Sequence, residues 1–285
     1  MAVYKRGYQG YDGPLTPEWS RFLVIARRGY RKVFDSTLLL TFFRLCFIWP
    51  VICALMIYLP HNAGALQLFN FQNLIRVDGG FFMRYIGFQG SLAFLFTVFI
   101  GPGLISSDLA NNALPLYLCR PFSRAEYLLG KFTVIAGVLS AITWAPGLLL
   151  FGFEAYLEGG AWFASNYWIA VAVFLGSWVW IIAIALIAMA ASAWLKWKFV
   201  AGGAMLAVFF LAAAFGEAVN HTLGTNIGDF VNIGQVINQI WRGLFRLPDN
   251  GGISAAAAWD ALLVFCAVCV YLLSRKVRAC EVELS

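Results

Sequence analysis

The hydrophobic positions of this chain fall into long runs, not into the narrow stripes of a water-soluble helical fold. Six runs approach or exceed the ~20 apolar residues that a helix needs to cross the hydrocarbon layer of a bilayer. They extend over Ser36 to Leu59, Tyr85 to Ile105, Leu128 to Phe153, Tyr167 to Leu195, Phe199 to Phe215 and Ala256 to Leu273. The pattern predicts an all-α, polytopic membrane protein with six transmembrane helices. The fifth run is short and ends in Gly216 and Glu217. It is expected either to span with help from neighbouring protein or to pass into a re-entrant segment, and five spans plus a hairpin is the alternative.

Two stretches have a different rhythm. From Pro17 to Phe34, Trp19, Phe22, Leu23, Ile25, Ala26, Tyr30, Val33 and Phe34 interleave with arginines and a lysine, as in an amphipathic helix lying on the membrane before the first span. Between the fifth and sixth runs, Ile227, Phe230, Val231, Gly234, Ile237, Ile240, Trp241, Leu244 and Phe245 recur at helical spacing. Asp229, Asn232, Gln235, Asn238, Gln239, Arg242 and Arg246 form the other face, so an amphipathic interfacial helix or a re-entrant one is expected there. Breakers punctuate the spans themselves: Gly101, Pro102 and Gly103 close the second, and Ala145, Pro146 and Gly147 sit within the third, so both are expected to bend or break.

Composition agrees with the pattern, since 61% of the 285 residues are hydrophobic and only 12% are charged. The net charge of +6 is spread over helix ends instead of forming one compact basic face, so nucleic acid is not an expected partner, whereas membrane lipids are. Lys5, Arg6, Arg21, Arg27, Arg28, Arg31, Lys32, Arg120, Arg124, Lys131, Lys196, Lys198, Arg275, Lys276 and Arg278 fall on one side. Only Arg76, Arg84, Arg242 and Arg246 fall on the other. Because cytoplasmic loops retain basic residues, both termini are expected in the cytoplasm, with the chain in the cytoplasmic (inner) membrane. The first ~20 residues are too polar for a cleavable signal peptide, and the first span is expected to act as the targeting signal. The organisation read this way is a cytoplasmic N-terminus with its amphipathic helix over 1–35, a six-helix membrane domain over 36–275 and a cytoplasmic tail over 276–285.

The most informative segment joins the second and third spans. Ser106 or Ser107 is positioned to cap a short helix with Asp108 in its first turn, Pro121 interrupts it, and Ser123 with Glu126 three residues later forms a capping box for the next helix. A rigid, charged elbow at the cytoplasmic surface is the expected result. The segment resembles the permeases of the type-2 ABC transporter family, which carry an acidic residue after the second span, a short helix, an R-P-x-S-R element and L-G-K entering the third span. Here these are Asp108, then Arg120 to Arg124, then Leu129, Gly130 and Lys131. Many relatives have Glu followed by Gly and Thr, where this chain has Asp108 followed by Asn111, Asn112 and Ala113. The layout of entry helix, six spans and helical insertion before the last span is similar as well.

The resemblance implies that Asp108, Asn111, Asn112, Arg120, Arg124 and Glu126 belong to a coupling helix that docks on a separate ATPase subunit. It further implies two copies of that ATP-binding subunit, and a second permease copy or homologous permease. The chain would then be the membrane subunit of an exporter, with ATP and Mg bound only by the partner. A non-transporting scaffold that transmits force to an exoplasmic accessory protein is the alternative. The residues independently exclude an ATPase within the chain: Gly130 and Lys131 are followed by Phe132 and lack the upstream glycine of a phosphate-binding loop. No enzyme activity of its own is expected. The bland reading of Arg120, Arg124 and Lys131 is topogenic charge that binds lipid headgroups.

Other residues carry weaker signals. Arg44 is the basic residue set well inside a span, which marks either a role in the translocation path or a side chain that snorkels or pairs with Asp35. Cys266 and Cys269 form C-x-x-C in an apolar helix without a second pair, so they read as packing residues. His61 and His221 stand in separate connections with no ligand-spaced partner, so no metal site is expected.

Overall fold

The computed structural model describes residues 20–61, 76–111, 123–195, 197–248 and 251–276. Among these residues there is no strand, and six helices are long and apolar enough to cross a membrane, so the protein is an all-α, multi-pass membrane protein. The spans are Thr37–His61, Gly79–Asp108, Arg124–Glu158, Gly160–Trp194, Lys198–Leu223 and Ala255–Lys276. Across an 18-residue apolar stretch of each span, 61% is buried in the second, third and fourth, against 17% in the first and 22% in the fifth and sixth. The middle three therefore form the core of the bundle, and the other three turn most of their apolar surface outward.

Three of the spans are interrupted, and each interruption has a proline. The first span consists of α2 (Thr37–Leu45) and α3 (Ile48–Tyr58), with Pro50 in the first turn of α3. The second consists of α4 (Gly79–Ile100) and α5 (Pro102–Ala110). The third consists of α6 (Arg124–Ile142) and α7 (Trp144–Glu158), with Pro146 in the first turn of α7. Proline has no N–H to give to the carbonyl four residues earlier, so Pro50 deprives the Cys46 carbonyl and Pro146 that of Ile142. One side chain on α4 serves both. The Gln89 amide donates to the Cys46 carbonyl at 2.8 Å and to the Ile142 carbonyl at 2.8 Å, and the residue is fully buried. Buried polar backbone must find partners inside a bilayer, and here a single glutamine joins spans one, two and three through the two breaks.

The expected entry helix forms as α1 (Arg21–Phe34), with Ile25, Ala26 and Val33 as its buried residues. Its apolar face is covered by α6. Gly130 permits the approach, because a Cβ there would stand 2.8 Å from the Ile25 Cβ and 2.9 Å from the Phe22 carbonyl oxygen. One turn on, the Tyr30 hydroxyl donates to the Thr133 carbonyl at 2.6 Å. Leucine at Gly130 is expected to undock α1 and leave the spans intact. Limited trypsin digestion would then cut at Arg27 and Arg28 much faster than in the parent, and unchanged cleavage would contradict this packing.

The fourth span is one 35-residue helix, α8 (Gly160–Trp194). The fifth is α9 (Lys198–Leu223), a continuous helix of 26 residues rather than a shortened one. Gly216 does not end it. A Cβ at that position would lie 2.5 Å from the Gly228 carbonyl oxygen, so the glycine lets the returning chain press against α9. After a 3-10 turn at Ile227–Phe230, α10 (Ile233–Leu244) runs among the spans before α11 (Ala255–Lys276) completes the bundle. Ile233, Val236, Ile237, Gln239, Ile240 and Trp241 are buried in α10. The Trp241 indole donates to the Gly176 carbonyl at 2.9 Å, and the Trp180 indole to the Gly90 carbonyl at 2.9 Å. Gly176 lies sixteen residues into α8, about 24 Å along its axis at 1.5 Å per residue. The segment thus forms the expected amphipathic helix, with its apolar face packed against the spans.

Candidate functional site

The second span breaks at Gly101 and restarts with Pro102 at the first position of α5, where proline is well tolerated. Gly101 is required by proximity: a Cβ there would stand 2.6 Å from the Ala188 Cβ of α8. Ser192 of α8 then holds the start of α5 with three hydrogen bonds. Its hydroxyl accepts from the backbone N–H of Ile105 at 3.0 Å and of Ser106 at 2.9 Å, and donates to the Pro102 carbonyl at 2.9 Å.

This geometry corrects one expectation. Ser106 and Ser107 do not cap a helix that starts beside them, and Asp108 is not in a first turn. The helix begins at Pro102, so all three lie in its second half, with the hydroxyl of Ser106 donating back to the Pro102 carbonyl and that of Ser107 to the Gly103 carbonyl. Such bonds to carbonyls four residues earlier are the usual alternative to capping. The second box is as expected. Ser123 accepts from the Glu126 N–H at 3.2 Å, and the Glu126 carboxylate accepts from the Ser123 N–H at 2.6 Å, which fixes the start of α6.

Between these two helix ends lies a short, shielded ion pair. The Lys131 ammonium is 2.6 Å from Asp108 Oδ2, with side-chain exposures of only 12% and 15%. The Tyr127 hydroxyl donates to the same carboxylate oxygen at 2.8 Å, and the Lys131 ammonium also lies 5.4 Å from the Tyr127 ring centroid. The Lys32 ammonium of α1 donates to the Ser107 hydroxyl at 3.4 Å. Burial, then repulsion from Lys198 and Lys131, pushes the Lys32 pKa below its ordinary 10.5, and Asp108 opposes the shift. Lys131 of α6 and Lys32 of α1 therefore both lie close to Asp108, and the charge of Lys198 at the start of α9 acts on Lys32. The adjoining ends of spans two and three are thereby joined by charge, and α1 and α8 brace them.

The sequence-derived site residues fare unequally. Asp108 and Glu126 are engaged in these contacts, whereas Asn111 is exposed just past α5. Arg124 is exposed at the first position of α6, with no hydrogen bond or ion pair to another described residue. Asn112 and Arg120 lie outside the described residues. Arg44 is exposed on the outside of the bundle, and no ion pair joins it to Asp35. Cys266 and Cys269 are free thiols on α11, in keeping with packing residues. Sequence reasoning did not anticipate Tyr127, Lys32 or Ser192. Tyr127 stands one turn before Lys131 on the same face of α6, which is the only local signal for its place in the network.

At the opposite end of the bundle the structure brings together residues that spacing had kept apart. His61, Glu154 and Glu158 offer ligand atoms all within 4.8 Å of one another. The expectation of no metal site rested on separation along the chain, and folding removes that separation. No protein-family model matches this chain, and no curated protein matches it.

Proposed function

We propose that the chain is the membrane subunit of an ABC exporter, driven by a separate ATPase that docks on the elbow between the second and third spans. The reading rests above all on one observation: the acid of the elbow, Asp108, and the lysine of its L-G-K element, Lys131, form a shielded ion pair at 2.6 Å. The two ends of a family-like motif are thereby one mechanical unit. A push on the segment between them would move α5 and α6 together, and through Ser192 and Lys32 it would reach α8 and α1. In this reading the gathered lysines mark the cytoplasmic side under the positive-inside rule, and both termini lie there. The membrane is the inner one, and ATP and Mg bind only to the partner.

Dimerisation with a second permease has a natural place for contact in the outward-facing first, fifth and sixth spans. Substrate passage would follow the facing spans, and the chain would contribute no catalytic residue. Exposed Arg124, together with Arg120, supplies the charge for the docking surface. Co-expression with the Walker-type ATPase of a neighbouring reading frame tests this. Arg120→Glu or Arg124→Glu is expected to abolish co-purification while leaving the melting temperature of the membrane subunit unchanged. Undiminished co-purification returns these arginines to a topogenic role, and failure of any ATPase to associate with the parent chain refutes the assignment.

A further inference from the structure

The geometry points to a divalent metal site at the end of the bundle opposite the lysine cluster, formed by His61, Glu154 and Glu158 and suited to a zinc-like ion. The elements arrive from two spans. Glu154 and Glu158 are one turn apart on α7 and face the same way. His61 ends the 3-10 turn Leu59–His61 that follows α3.

The hydrogen bonds of the imidazole carry the argument. His61 Nδ1 lies 2.9 Å from the Ile57 carbonyl oxygen, an acceptor only, so Nδ1 bears the hydrogen. In a neutral ring Nε2 then presents its lone pair, and it faces Glu158 Oε1 at 3.1 Å. Two acceptors at that distance call for a cation between them. A proton on Nε2 would satisfy Glu158 alone. Glu154 is 3% exposed, and its Oε2 is fully buried with no hydrogen-bond donor among the described residues. A divalent ion would satisfy all three groups at once.

Backbone anchoring of the second ring nitrogen is what metal-binding histidines characteristically have. One imidazole and two carboxylates suit zinc, whereas calcium would demand six or more oxygens. Bonds of about 2.0–2.2 Å to zinc would place tetrahedral ligand atoms about 3.4 Å apart; His61 Nε2 and Glu158 Oε1 are already 3.1 Å apart, and all three ligand atoms lie within 4.8 Å of one another, within reach of a modest side-chain adjustment. The three groups line a cavity of about 400 Å³, ample for water in the fourth position. Arg76 and Asp78 line it too. Arg76 pairs with neither glutamate, and Asp78 is engaged as the cap of α4, where it accepts from the Phe81 N–H at 2.9 Å. Bound metal would clip the outer end of the first span to that of the third, independently of whether the chain serves an ATPase.

The test uses the full chain without a histidine tag, purified in detergent, stripped with chelator and titrated with zinc by calorimetry. One zinc per chain is expected, with affinity falling at least tenfold in His61→Gln, in Glu154→Gln and in Glu158→Gln. His221→Gln is expected to bind like the parent. Zinc should also raise the melting temperature of the parent but not of Glu158→Gln, whose exposed side chain is not needed for folding. Absence of saturable binding, or binding that all three site variants retain, overturns the proposal and leaves a protonated histidine as the occupant.

Discussion

Replacing Gln89 with leucine is expected to destabilise the bundle by at least about 2 kcal/mol, because two buried carbonyls each lose their donor at about 1–3 kcal/mol apiece. The carbonyls of Cys46 and Ile142 cannot recover a helical partner, since the residues four positions on are Pro50 and Pro146. Bilayer or micelle offers no water at this depth to replace the amide. The same reasoning predicts its own rescue. Pro50→Ala and Pro146→Ala each restore a backbone N–H at the position that the helix would use. The triple variant Gln89→Leu, Pro50→Ala, Pro146→Ala is therefore expected to regain most of the lost stability. Equilibrium unfolding in mixed micelles, followed by helicity, measures both. A leucine variant as stable as the parent, or prolines whose removal only adds to the damage, would show that Gln89 is not what closes these breaks.

The second large effect concerns Asp108. Asp108→Asn is expected to cost about 3 kcal/mol, the usual penalty for leaving one member of a shielded ion pair without its partner. Lys131 would keep its place against the Tyr127 ring but face Lys32 without a neutralising charge. Asparagine can still accept the Tyr127 hydroxyl, so the loss isolates the charge. Lys131→Met should cost less, because the Tyr127 hydroxyl continues to serve the aspartate. The double variant Asp108→Asn, Lys131→Met is expected to recover much of the loss, and a double-mutant cycle gives the coupling directly. Under the proposed function the single and double variants would nevertheless share one defect. Both would lower stimulation of the partner ATPase, since even the well-packed double variant lacks the ionic link between α5 and α6. Coupling near zero in the cycle would reduce the elbow to a surface feature.

The candidate site was legible in part. The capping box of Ser123 and Glu126 is a local pattern, and the side chains reach one another within a single turn. Asp108 and Lys131 were both singled out, but as separate elements of a motif. Their pairing depends on how α5 and α6 converge, and nothing within either helix specifies that angle. The serines beside Asp108 are ambiguous in sequence, because an N-terminal cap and a bond to the carbonyl four residues earlier use the same residues. The break at Gly101 settles the matter, since it moves the helix start upstream to Pro102.

The sequence by itself determined the solvent, the number of spans and the amphipathic character of α1 and α10. These follow from transfer free energy and the 3.6-residue period, both properties of consecutive residues. It also marked the prolines that interrupt the spans. Only the tertiary structure decided what those interruptions need and where the supply comes from, as with Gln89, which reaches partners 43 and 53 residues away. Only the tertiary structure decided that Gly216 is a contact and not an end, that α10 packs against α8, and that His61 meets glutamates far along the chain. The physical reason is the same in each case. Apolar faces drive helices into the bilayer without fixing their rotation or tilt, and those are set by close packing and by the few polar groups that must be satisfied between helices.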